Sequence, residues 1–275
     1  VRGPDWTIAQ DWQHYTPAEH ALWARLWQRQ TQLLPGRACD AFLSGMRVLP
    51  IDGRNIPDFA ALNEILLPAT GWQVVAVPGL LPDEVFFAHL AARRFPAGRF
   101  IRSAVAADYL QEPDVFHDVF GHVPMLMNPA LADFIQAYGE GGLRAQRLGV
   151  LPYLARVYWY TVEFGLVEQP DGLRLYGAGI ASSYAESRFA IDDPSPHRLA
   201  FELLRVMRTR YRIDDFQEAY FVLKDLDALL DLARIDFAPL YLAAAALPEL
   251  EPGAVGLEDR LIVRGSGDYH RRSAG

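Results

Sequence analysis

Apolar positions in this chain fall mostly at helical spacing, broken by a few short β-branched runs. The first dozen residues are polar and Trp-bearing, without a period, and residues 1–15 are expected to run loosely over the surface. Thr16-Pro-Ala-Glu19 has the form of a capping box with Pro17 at the first helical position. It predicts a helix to about Leu34, with Leu22, Trp23, Leu26 and Trp27 on one side and Pro35-Gly36 closing it. Further helices are expected around 38–46, 57–67 and 83–94, the last after the turn Pro78-Gly79-Leu80-Leu81-Pro82. The β-branched run between Gly71 and Val77 reads as a strand. Residues 130–138, 151–166, 196–211 and 213–234 read as helices, and 173–179 as a strand or extended turn. No repeat, low-complexity stretch or long linker divides the chain. The expectation is one mainly α catalytic domain with small β elements over 16–264, followed by a mobile polar tail at 265–275.

Composition sets limits. Hydrophobic residues make up 51% of the 275 and charged residues 22%, ordinary for a globular protein with a large core. The longest apolar runs, such as 240–247, fall well short of the ~20 residues a membrane span needs. No signal-peptide pattern opens the chain, and a sequence starting at Val1 rather than Met reads as trimmed. A single cysteine, Cys39, excludes an internal disulfide, fits a reducing cytoplasm, and is expected to be a buried helix residue. A net charge of −8 without a basic stripe argues against a nucleic-acid partner. The pairs Arg93-Arg94 and Arg271-Arg272 read as solvated surface.

The chemistry concentrates in Glu112-Pro-Asp-Val-Phe-His-Asp-Val-Phe-Gly-His-Val-Pro124, with Glu163 standing 41 residues beyond His122. His117, His122 and Glu163 would form a two-imidazole, one-carboxylate set that suits ferrous iron and leaves coordination positions open. A five-residue spacing is awkward on an α-helix, where the rings would point ~140° apart. Gly121 offers a left-handed helix end and Pro124 biases Val123 away from helical torsions. The expectation is a short helix over 114–120, a turn at Gly121, and His122 swung back toward His117. Glu163 is the only charge between Val157 and Val167, so a buried carboxylate needing a cation is expected there. Two readings remain open on these grounds alone. One is a metal site; the other is a pair of core or capping histidines, with Glu163 paired to an arginine such as Arg156.

Taken with Tyr176-Gly-Ala-Gly-Ile-Ala-Ser-Ser183, Leu34-Pro-Gly-Arg-Ala-Cys39, Thr70-Gly-Trp72 and Val77-Pro-Gly-Leu-Leu81, these segments resemble the pterin-dependent aromatic amino acid hydroxylases. Within that family the likeness is greatest to the short bacterial phenylalanine 4-monooxygenases, and it covers about Leu33 to Leu242. The resemblance implies that family's single-domain catalytic fold, with His117, His122 and Glu163 as ligands of Fe(II). It implies Arg102 as the group that binds the substrate carboxylate, a task a planar guanidinium fork suits, with Asp114 holding that arginine. Pro113 and Trp159 would pack around the substrate ring, and Ser182 would support the first histidine. Phe86 would stack on a tetrahydropterin, whose pocket Leu81, Asp118 and Tyr158 would line. Without the resemblance, Arg102 reads as a surface ion pair, and Phe86, Tyr158 and Trp159 as core aromatics.

The resemblance implies hydroxylation of L-phenylalanine to L-tyrosine with O2 and a tetrahydropterin. Val222 stands where tyrosine hydroxylases carry an aspartate, which favours phenylalanine over the rival tyrosine or tryptophan substrates. Leu110 replaces a threonine of the animal enzymes, and Asp118 a glutamate. The regulatory and tetramerisation segments of the animal enzymes have no counterpart in this sequence, so a cytoplasmic monomer is expected. A zinc hydrolase on the same ligands is the rival from another class; it would need a general base, and no second carboxylate flanks the triad as in His-Glu-x-x-His enzymes. A purely structural metal site is disfavoured by the lone cysteine.

Overall fold

The capping box at Thr16 is formed. The Thr16 amide donates to the Glu19 carboxylate at 2.7 Å, and the Glu19 amide donates back to the Thr16 hydroxyl at 3.3 Å. It opens α1 (Pro17–Leu33), whose Leu22, Trp23 and Leu26 are buried. The computed structural model describes residues 3–103 and 112–273, so Leu110 lies outside the described residues. Helices α2 (Asp40–Val48) and α3 (Phe59–Thr70) follow; α3 is capped by the Asp58 side chain and closed by Gly71 at φ 74°. Cys39 is buried at the N-cap of α2, not inside it. Strand β1 (Gln73–Val77) leads through α4 (Asp83–Ala91) to β2 (Arg94–Gly98), which pairs with it in parallel, Val74 opposite Phe95.

Here the sequence expectation of a helix to residue 94 ran too far. Arg93 takes a positive φ of 52° and turns the chain out of the helix. Neither Arg93 nor Arg94 is solvated surface. Arg93 binds Asp133 at 2.5 Å, the Gln136 side chain and the Thr70 carbonyl, while Arg94 meets Asp5 at 2.8 Å.

After the segment bearing His117 and His122 come α5 (Pro129–Leu148) and α6 (Leu151–Tyr158), then β3 (Leu166–Gln169) and β4 (Gly172–Leu175). They are followed by α7 (Ala178–Ala181), α8 (Tyr184–Asp192), β5 (His197–Ala200), α9 (Leu203–Arg208), β6 (Ala219–Leu223) and α10 (Ala228–Arg234). The chain ends through α11 (Ala238–Ala245), β7 (Leu261–Val263) and α12 (Asp268–Ser273). The second sheet has the order β4-β3-β6-β5-β7, with parallel pairs at its centre and antiparallel strands at both edges. The described residues thus form a mainly helical structure with two small sheets.

Strands β5 and β6 replace stretches expected to be helical. Every residue of β6 is buried. A strand covered on both faces reads as a continuous apolar run, which periodicity alone does not separate from a buried helix. The two ends are also tied down. Ile8 donates to the Ala76 carbonyl at 2.9 Å and the Trp12 indole to Ile56 at 2.6 Å. In α12, Tyr269 packs edge-on to Phe189 at 5.1 Å and lies 5.2 Å from Phe216. Composition marked these segments as polar; their few aromatic residues anchor them.

Candidate active site

Among the described residues, two π-helical segments carry the three candidate ligands. Phe116–His122 is the first, buried at every residue, and it runs directly into a 3-10 turn over Val123–Met127. The turn expected at Gly121 is not formed, and Gly121 is not among the glycines with positive φ. The physical resolution is the winding itself. A π-helix closes hydrogen bonds from i to i+5, so residues five apart share one face. Gly121 serves a different purpose: a Cβ there would lie 2.9 Å from the Ala178 carbonyl, so its absence lets α7 approach. The outward rings of the same segment lock it in the core, Phe116 stacking on Phe120 at 4.8 Å and Trp23 meeting Phe116 edge-on at 5.1 Å.

Trp159–Glu163 is the second π-helical segment, with the Phe164 amide donating to the Trp159 carbonyl at 2.8 Å. A Cβ on Gly177 would collide with the Glu163 backbone. The alternative partner for Glu163 is excluded by placement. Arg156 donates to the Met207 carbonyl at 2.9 Å and pairs with Glu249.

The Nε2 atoms of His117 and His122 lie 3.2 Å apart, and Glu163 reaches them at 3.5 and 3.1 Å. Ligands ~2.1 Å from one first-row ion and at right angles to each other would be about 3.0 Å apart. The set therefore fits one ion bound on a single face. His117 Nδ1 sits 2.9 Å from the Ser182 hydroxyl, which itself donates to the Ala178 carbonyl at 2.8 Å. Because Ser182 spends its proton on Ala178, it accepts from His117 Nδ1–H, leaving the Nε2 lone pair aimed at the cluster. Burial holds His117 down at about 4, with Glu163 pulling the other way, so the ring is neutral as a metal requires. Burial pushes the Glu163 carboxyl up, but the His122 and His117 imidazoles more than offset this and its pKa is lowered. Two lone pairs and a carboxylate facing one point call for a cation.

Asp114 links this cluster to Arg102. Its Oδ2 accepts from the Arg102 backbone amide and Nε, and its Oδ1 from Nη2, all at 2.8 Å. The same Oδ1 accepts from the His117 amide at 3.0 Å. The pair is buried, not superficial, and the Arg102 guanidinium lies 5.5 Å from the Phe116 ring centre. Burial raises the Asp114 carboxyl, yet the Arg102 hydrogen bond and charge carry it below its ordinary range. Asp118 accepts from the Gly98 amide at 2.7 Å, and burial pushes its carboxyl up to about 7. The Asp118 carboxyl is thus committed to the β2 backbone.

Among the remaining predicted positions, Phe86 and Tyr158 are half-buried and meet edge-on at 6.0 Å, and Tyr158 lies 6.5 Å from the His122 ring. Leu81 is half-buried in the loop before α4, and Pro113 is exposed beside the Arg102–Asp114 pair. Trp159, also half-buried, stacks on Tyr211 at 4.2 Å. Val222 is buried in β6, the central strand of its sheet, opposite Leu166 and Ala200; that places it next to the strand leaving Glu163. Sequence reasoning missed Phe95, packed 4.8 Å from His122, and Gln217, which receives the Trp159 indole N–H at 3.0 Å. Gln217 sits in Asp-Asp-Phe-Gln-Glu, a polar run that carries no sign of burial.

Comparison with known proteins agrees with this geometry. A model of the biopterin-dependent aromatic amino acid hydroxylase family matches residues 11–237. The phenylalanine-4-hydroxylase of Caulobacter vibrioides is 58% identical over 97% of this chain and 90% of its own length. That of Chromobacterium violaceum is 54% identical over 95% and 88%. The iron- and phenylalanine-bound crystal structure of the Chromobacterium violaceum phenylalanine hydroxylase superposes with a TM-score of 0.90, at 53% identity, covering 94% of this chain and 95% of that one.

Proposed function

The chain belongs to the biopterin-dependent aromatic amino acid hydroxylase family, and from that premise we infer that it is a phenylalanine 4-monooxygenase. It converts L-phenylalanine, O2 and a tetrahydropterin to L-tyrosine and a hydroxypterin. The observation that carries this reading is the convergence of His117 Nε2, His122 Nε2 and the Glu163 carboxylate on one point. Such a set would hold ferrous iron, and iron together with the pterin would supply the activation of dioxygen.

The chain's own residues bind, orient and exclude water. Asp114 holds Arg102 as a fork for the substrate carboxylate, and its bond to the His117 amide sets that fork at a fixed distance from the ligands. Pro113 and Trp159 form walls for the substrate ring. Phe86 offers a ring face to the pterin, with Leu81, Tyr158 and Asp118 around it. Ser182 keeps His117 in the metal-binding tautomer. At Val222 a carboxylate would be buried in the sheet, and valine keeps that wall apolar, which supports phenylalanine over tyrosine as substrate. A catalytic monomer is part of this reading. No helix among the described residues is long and apolar enough to cross a membrane, and a role in cytoplasmic phenylalanine catabolism completes the reading.

Anaerobic reconstitution with ferrous iron, followed by tetrahydropterin, oxygen and each aromatic amino acid in turn, tests it. Tyrosine from phenylalanine is the expected main product, and His122→Ala is expected to lose iron and product together. Turnover by the iron-free variant, or hydrolytic activity with zinc and no pterin, would overturn the assignment.

A further inference from the structure

Gln217 lies in the loop before β6 and is only 2% exposed. Its Oε1 accepts from the Trp159 indole at 3.0 Å and from the Arg212 amide at 3.4 Å, while Nε2 donates to the Arg212 carbonyl at 2.8 Å. An indole N–H only donates and a carbonyl only accepts, so this carboxamide has one workable orientation. The Gln217 backbone amide is in turn 3.5 Å from Glu186 Oε1, and that carboxyl also receives the Tyr220 hydroxyl. The side chain is therefore held from both ends before it meets the indole.

Trp159 is held on its faces by Tyr211, stacked at 4.2 Å and 15°, and by Phe164 at 4.7 Å. Stacking fixes the height of a ring but leaves it free to slide and turn within its plane. One directional bond from Nε1 removes that freedom. Trp159 also opens the π-helical segment that ends at Glu163, so any drift of the indole occurs a single turn from a metal ligand.

We propose that Gln217 is a specificity-determining positioning residue, which fixes the in-plane orientation of the Trp159 indole and so the shape of the pocket offered to the substrate's aromatic ring. This rests on the reading of Trp159 as a substrate wall. A wall held in one orientation discriminates between a benzene ring and a larger indole; a wall that slides admits both. Gln217 touches no reacting atom, so its loss acts on KM and selectivity before kcat.

The test is a cycle of variants assayed with iron content and thermal midpoint as fold controls. Gln217→Met keeps the volume and leaves the indole N–H without a partner. It is expected to lower the ratio of kcat/KM for L-phenylalanine over L-tryptophan about tenfold, chiefly through KM. Gln217→Glu keeps an oxygen toward the indole and, as the protonated acid, an O–H toward the Arg212 carbonyl; assayed at a pH low enough to keep it protonated, it is expected to hold that ratio within about threefold of the parent. In a Trp159→Phe background, which has no indole N–H, Gln217→Met is expected to change the ratio less than about twofold. Equal losses in both backgrounds, a parental ratio in Gln217→Met, or a loss in Gln217→Glu as large as in Gln217→Met would each overturn the proposal. Trp159→Phe alone leaving KM and the ratio at parental values would overturn it through its premise, and that result is distinct from the other three.

Discussion

Single residues here divide into those that face the candidate metal position and those that hold other side chains in place. Ser182 illustrates the second kind: by giving its own proton to Ala178 it decides which nitrogen of His117 carries a lone pair. Glu186 is another, a buried carboxyl under Gln217 and Tyr220 that burial pushes up to about 7. A carboxyl whose folded pKa is raised favours the fold fully below its unfolded value of about 4.5, and that contribution is lost as pH rises through about 7. Glu186→Gln removes the ionisation while keeping an acceptor for Tyr220. The variant is expected to exceed the parent in stability at pH 8, by on the order of 3 kcal/mol, with most of the margin gone at pH 5. Urea midpoints at the two pH values measure this. An equal margin at both would mean that Glu186 ionises in the fold as it does in water.

At the level of elements, the ligands were legible in the chain and their geometry was not. The residue types of His117, His122 and Glu163, and the isolation of that glutamate among apolar neighbours, pointed to a metal. On α-helical geometry the five-residue spacing demands a break at Gly121; on π-helical geometry it does not. Nothing local in Phe-His-Asp-Val-Phe-Gly-His announces a π-helix; it is held by packing from outside, with Trp23 against Phe116 and α7 against Gly121. Strand β6 escaped notice for a related reason, since its central position in a sheet leaves no alternation to read. The cap of α1, by contrast, depends on near neighbours and was readable in full. The π-helical account makes Gly121 a contact residue. Gly121→Ala would put its methyl against the Ala178 carbonyl and displace α7, which carries Ser182 at its end. A loss of about 1–3 kcal/mol in stability, with weaker iron binding, is expected from denaturation and metal titration. Parental values of both would mean that α7 accommodates the methyl and that close approach at Gly121 is not needed.

Across the whole molecule, the ion would join parts that the chain connects only over a long path. The first π-helical segment follows the two-stranded sheet and packs against α1, α7 and β2, while the second feeds through Gly165 into β3 of the five-stranded sheet. Ligands drawn from both make metal binding a cross-link between these regions, available only in the folded state. A ligand that binds only the native form at a hundredfold excess over its Kd adds about 2.7 kcal/mol. For a chain of this size that corresponds to a thermal midpoint higher by about 5–10 °C. Chelation of the iron-loaded protein is expected to lower the midpoint by that amount, and amide exchange to quicken together in residues 116–122 and 159–166. His122→Ala should show the lower midpoint with or without iron. If chelation left the parent's midpoint unchanged, or quickened exchange in one segment alone, the two regions would be joined by side-chain packing, and the ion would act in catalysis without supporting the fold.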